Sequence, residues 1–107
     1  MAGTPLTASG NTTNTVSITI SAVSGIRHLI NHLSASLDTD AIDIANTKIT
    51  VESPDNTVLW QIILSRAGPA PITFPSDGIK GAVGEDMVIK LSGTDNITGY
   101  LNVIQVS

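Results

Sequence analysis

Ile26-Arg27-His28-Leu29-Ile30-Asn31-His32-Leu33-Ser34-Ala35-Ser36-Leu37 reads in two ways, and the class of the whole fold turns on the choice. Ile26, Leu29, Ile30, Leu33 and Leu37 fall at helical spacing, with Ser24 placed to cap a helix start. The same stretch makes a strand with Leu29, Leu33, Ala35 and Leu37 on one side. Periodicity does not separate the two inside this window, so the surroundings have to. Upstream, Val16, Ile18 and Ile20 alternate strictly with Thr15, Ser17, Thr19 and Ser21, the pattern of a half-buried strand.

Downstream the same period of two recurs. Thr47, Ile49 and Val51 alternate with Lys48, Thr50 and Glu52, and Met87, Ile89 and Leu91 with Val88, Lys90 and Ser92. Val58 to Leu64 is apolar on both faces near its middle, which predicts a central strand. Thr98 to Val106 is β-rich without a clean face. Turn chemistry separates these runs: Ser53-Pro54-Asp55-Asn56, Gly68-Pro69, Ser76-Asp77-Gly78, Gly81 with Gly84, and Gly93-Thr94-Asp95-Asn96. The first predicts a short hairpin loop. Ile72, Thr73 and Phe74, boxed by Pro71 and Pro75, predict a short edge strand. These surroundings favour the strand for residues 26–37. The expectation is all-β: one antiparallel β-sandwich or jelly-roll-like domain of seven to eight strands over residues 15–107. Residues 1–14, rich in Thr, Ser, Asn and Gly, have little to bury and are expected to be a flexible N-terminal arm.

A chain of 107 residues has room for one core. The absence of cysteine removes disulfides, thiolate metal sites and cysteine nucleophiles together. Met1 to Thr7 lacks the pattern of a signal peptide, and no apolar run reaches the ~20 residues of a membrane-spanning helix. A soluble protein made in the cytoplasm of its producing cell is expected. Arg27, Lys48, Arg66, Lys80 and Lys90 are too scattered to track phosphates, and the net charge is −4, so neither nucleic acid nor a membrane is an expected partner. Only 13% of residues are charged, and the mean hydropathy is positive. A domain this small and this aliphatic leaves apolar or Ser/Thr surface uncovered, which points to a permanent partner or to self-association.

Candidate chemistry is thin. On a helix His28 and His32 would share a face and supply half a zinc site; on a strand they lie about 13 Å apart, too far for one ion. They are read as interface residues. Asp38, Asp40 and Asp43 crowd one segment but lack the glycine and distal glutamate of an EF-hand, so a solvated acidic turn is expected rather than calcium. Neighbours Glu85 and Asp86 would point to opposite faces of a strand, no Gly-x-Ser-x-Gly elbow occurs, and Gly81-Ala82-Val83-Gly84 is too short for a phosphate loop. No enzyme, no metal and no cofactor is expected. Trp60 is expected in the core, which leaves Tyr100 as the one aromatic platform available to a sugar ring.

The order of these features is similar to that of a known family. Gly25-Ile26-Arg27 opens a strand ending in Leu33-Ser34-Ala35-Ser36, and Thr57-Val58-Leu59-Trp60 follows. Then come Phe74-Pro75, Gly81-Ala82-Val83-Gly84, Met87 to Ser92, and a closing strand through Gly99-Tyr100-Leu101-Asn102-Val103. Over roughly residues 15–106 the chain resembles the small β-sandwich head decoration (cement) proteins of tailed bacteriophages. That resemblance implies a viral structural protein on the capsid surface of the virion, a homotrimer bound to the major capsid protein and stabilising the head. Thr4, Pro5, Leu6 and Thr7 of the arm, with His28 and His32, would be interface residues. The alternative is a phage fibre or carbohydrate-binding β-sandwich module with a glycan as partner.

Overall fold

The computed structural model describes residues 3–38, 47–64, 68–69, 78–93 and 97–106. In chain order the strands are β1 (Thr4–Asn11), β2 (Val16–Ile20), β3 (Leu29–Asp38), β4 (Thr47–Glu52), β5 (Val58–Leu64), β6 (Gly68–Pro69), β7 (Ile79–Lys80), β8 (Met87–Ser92) and β9 (Thr98–Gln105). A single 3-10 turn, Thr12–Asn14, joins β1 to β2. One antiparallel sheet runs β1-β9-β3-β6, with β7 also on β3; the other runs β2-β8-β4-β5. The all-β sandwich expected from alternation is the architecture observed.

The two sheets meet through the apolar halves of their alternating strands. Val16, Ile18, Ile89, Leu91, Ile49 and Val51 line the inner face of one sheet, and Leu33, Ala35, Leu37, Leu101 and Val103 that of the other; all belong to one buried cluster. Fully burying a Leu, Ile or Val side chain stabilises by roughly 1.5–3 kcal/mol, so this cluster is the main force holding the layers together. At one end the sheets come close. A Cβ on Gly99 would meet Leu91 Cδ2 at 2.7 Å and Thr12 Cγ2 at 3.0 Å, so a larger residue there would have to push those side chains aside.

The ambiguous segment resolves as a strand, but one that starts at Leu29. Ser24 and Gly25 form a turn instead of a helix cap, and Ile26 N–H donates to the Val23 carbonyl at 3.0 Å. A β-bulge lies between Ile30 and His32. Thr4–Asn11, placed by the sequence reading in a loose arm, is instead β1, paired with β9 from Thr4–Gln105 to Asn11–Thr98. Leu6 and Ala8 pack against the core and anchor it. Composition alone misjudges the segment because a strand can be held by backbone hydrogen bonds to a waiting edge, which no apolar count records.

Two further expectations change. Among the described residues β5 ends its sheet instead of lying in the middle of it. Its doubly apolar middle therefore leaves large side chains in solvent. Thr98–Gln105 does have a clean face: Gly99, Leu101 and Val103 are buried between exposed Thr98, Tyr100 and Asn102. The pattern was masked because glycine, not an aliphatic residue, occupies the first buried place. The hairpin at Ser53–Asn56 joins β4 to β5 as expected, with Ser53 N–H donating to the Thr57 carbonyl at 2.9 Å. The expected edge strand at Ile72, Thr73 and Phe74 lies outside the described residues.

Candidate functional site

Among the described residues, the most apolar exposed surface lies on β5. Its sequence, Val-Leu-Trp-Gln-Ile-Ile-Leu, contains no charge and no proline. Trp60 and Ile62 are half-buried against the core. Val58, Leu59 and Ile63 are exposed, Ile63 to 73%. A bulge at the start of the strand, where Val51 opposes Trp60 but Glu52 opposes Val58, leaves Leu59 as the extra residue. Beside it, Lys48, Gln61, Ile62 and Ile63 line an open hollow of about 420 Å³. An uncharged, apolar edge of this kind is a template for pairing with another chain unless something blunts it.

The hairpin behind this edge is pinned by a polar cluster. Lys90 Nζ lies 3.0 Å from Glu52 Oε1 and 2.7 Å from Asp55 Oδ1. Glu52, only 5% exposed, also accepts from Thr50 Oγ1 and the Asn56 N–H, both at 2.7 Å. Burial pushes the Glu52 carboxyl up, but the hydrogen bonds from Thr50, Lys90 and Asn56 and the ammonium charge outweigh it and hold the group below its ordinary range. The hydrogen bonds to Asp55 and then Glu52 raise the Lys90 ammonium. Ser53 adds a second tie: its hydroxyl donates to the Asp86 carbonyl at 2.6 Å and accepts from the Ala82 N–H at 3.0 Å. These groups are satisfied by one another, as structural polar clusters are.

The second distinctive surface is the outer face of β1, β9 and β3. Register places Ser9, Tyr100 and Ser36 in one row and Thr7, Asn102 and Ser34 in the next. Tyr100 is 41% exposed in the middle strand. This is a neutral face of hydroxyls and amides around one ring.

The residues marked for an interface scatter. Thr4, Pro5 and Thr7 are exposed on β1, while Leu6 turns inward. His28 and His32 do not share a face, because His28 precedes β3 and the bulge intervenes. His28 is buried, with Nε2 2.7 Å from the Ser21 carbonyl and Nδ1 lacking a hydrogen-bond partner. His32 is exposed. The carbonyl can only accept, so Nε2 is the donor in this contact. Among the described residues no three His, Asp or Glu side chains group as metal ligands. Asp40 and Asp43 lie outside them. Asp86, far from forming a pair with exposed Glu85, accepts from the Asp55 N–H at 3.2 Å. The exposed edge of β5 went unmarked in the sequence because the same apolar run also describes a central strand; only topology distinguishes them. No family model, no curated protein and no solved structure matches this chain.

Proposed function

We propose that this chain is a structural assembly protein that works by contact: a head decoration (cement) protein bound to the outside of a phage capsid, as its sequence resemblance implies. The observation that supports the reading is β5, a seven-residue strand without charge, outermost in its sheet among the described residues, that leaves Ile63, Leu59 and Val58 exposed. Left bare, such an edge lowers solubility; covered, it supplies the permanent contact that the composition already calls for. On a shell, many weak copies of one contact add into avidity, and contacts made only by the expanded shell stabilise that form by mass action. The major capsid protein is the partner in this reading. The resemblance implies a homotrimer; the reading itself requires only that copies associate with the shell.

The test is cosedimentation of the purified chain with the parent phage's capsids. Binding to expanded heads and not to immature ones is expected, with the bound heads more resistant to heat. No binding to either form overturns the reading.

The Tyr100 row favours one second reading, the glycan-binding module. A ring set among Ser9, Ser36, Thr7, Asn102 and Ser34 matches a sugar, with a flat apolar face for the ring and neutral hydrogen-bonding groups around it. Under it, Tyr100→Ala abolishes saturable binding on a glycan array; a chain that binds no glycan ends it.

A further inference from the structure

We propose that β1 is exchanged between two copies of this chain: each Thr4–Asn11 leaves β9 of its own copy and pairs with β9 of the other, while residues 13–15 straighten. The inference goes beyond the functional reading and needs only a second copy. One short connection carries β1 from its sheet to β2 in the other, the 3-10 turn Thr12–Asn14 followed by Thr15. To make that turn, Thr15 is held at φ 58°, ψ 109°. This combination lies well away from the left-handed well near +57°, +47°, and a branched Cβ makes a positive φ costlier still. Straightened, Thr15 would occupy the extended region that suits threonine best. The hinge is therefore tense when closed and relaxed when open, the condition that invites exchange of the element it carries.

Outside the hinge, every contact that residues 3–12 make with the body of their own copy is made again with the body of the other. The fit is fixed by register: Thr4 through Asn11 already match Gln105 through Thr98, and a second copy carries the same eight residues. Leu6 and Ala8 would enter the same places against the core. Thr12 would travel with β1, giving its N–H to the Ile97 carbonyl and its carbonyl to the Gly93 N–H of the other copy. The bonds that closure adds within the hinge are few. The Thr13 N–H and hydroxyl donate to Asn11 Oδ1, and the Thr15 N–H donates to the Thr12 carbonyl at 3.2 Å. Residues 13–15 are exposed, so water replaces those bonds on opening. Reciprocal exchange closes into a two-fold pair. A short tether keeps β1 beside its own β9 at an effective concentration on the order of millimolar. Relief of one strained residue shifts an equilibrium about 5- to 150-fold, and a pair relieves two. Exchange therefore sets in between about 1 µM and about 1 mM chain.

The chain has no cysteine, so two introduced thiols report where β1 lies. Thr7 and Asn102 are exposed and directly opposed in register. Such antiparallel neighbours have Cα atoms about 4.5–5.5 Å apart, within disulfide reach. The full chain carrying Thr7→Cys and Asn102→Cys is held reduced at about 1 µM and at about 1 mM, just below its melting temperature so that β1 can open, then diluted cold and oxidised. A closed chain links to itself, whereas an exchanged pair links chain to chain, and denaturing gels without reductant tell the two apart. The expected result is linked pairs whose share rises with the concentration of the first step. Thr7→Cys alone is the collision control. Thr15→Gly, which accepts the closed turn without strain, should weaken the pair at least about 25-fold, about fivefold for each hinge. Disulfides confined to single chains at both concentrations, linked pairs no more abundant than with Thr7→Cys alone, or no drop with Thr15→Gly overturns the exchange. Capsid cosedimentation reads the proposed function separately: exchange without capsid binding removes that function and keeps the exchange, and capsid binding by chains that never exchange does the reverse.

Discussion

Glu52 illustrates how a buried acid is kept charged. Three hydrogen bonds and the Lys90 ammonium replace the water it lost, and its carboxyl is held below the ordinary value of 4.5. A lowered acid contributes stability that is present above its unfolded value and lost as pH falls through the folded one. Lys90 is raised, so its contribution is present below 10.5 and lost as pH climbs through its folded value. Glu52→Gln is expected to cost about 1–3 kcal/mol near neutral pH. The difference from the unaltered chain should shrink in acid below pH 4.5, as paired urea titrations at several pH values would read. Gly78 makes a different demand on its position. Its φ is +76°, and a Cβ there would press into the Ile30 carbonyl oxygen. Gly78→Ala should lose about 1–3 kcal/mol in the same titration, through backbone strain and the clash together.

Among the elements, β1 has the least support from its own residues. Thr4–Asn11 contains one large aliphatic side chain, yet it is matched along its whole length to β9. Its stability is borrowed from an edge whose buried residues, Leu101 and Val103, are already fixed by the core. Removing residues 1–11 should therefore destabilise the domain by at least about 2 kcal/mol, the scale of losing a half-buried leucine and a ladder of backbone bonds. A thermal melt unchanged by the deletion would restore the loose arm. β3 is a different case. Its own spacing fits helix and strand alike, and the fold turns Leu33, Ala35 and Leu37 into the core as alternate residues of a strand. Ile26 belongs to the preceding turn, and the bulge after Ile30 breaks the count.

In the molecule as a whole, the ion pairs of Lys90 with Glu52 and Asp55 brace the β4–β5 hairpin, while β5 itself carries no charged residue. A contact made through the uncharged β5 would be apolar, so cosedimentation with capsids at low salt and at about 1 M salt should give the same or tighter binding, where a charge-driven contact would dissolve. Alternation along the chain was enough to establish an all-β sandwich, the inward faces of β2, β4 and β8, and the hairpin at Ser53. The reason is that each of those facts is local, a side chain pointing up or down in a pleat. Which strands became edges could not be local. Val58–Leu64 reads as central and, among the described residues, ends its sheet; Thr4–Asn11 reads as loose and lies in a sheet. Neighbours across a sheet come from distant segments, and their hydrogen bonds leave no periodic trace in composition. The tertiary fold therefore decided which faces are exposed.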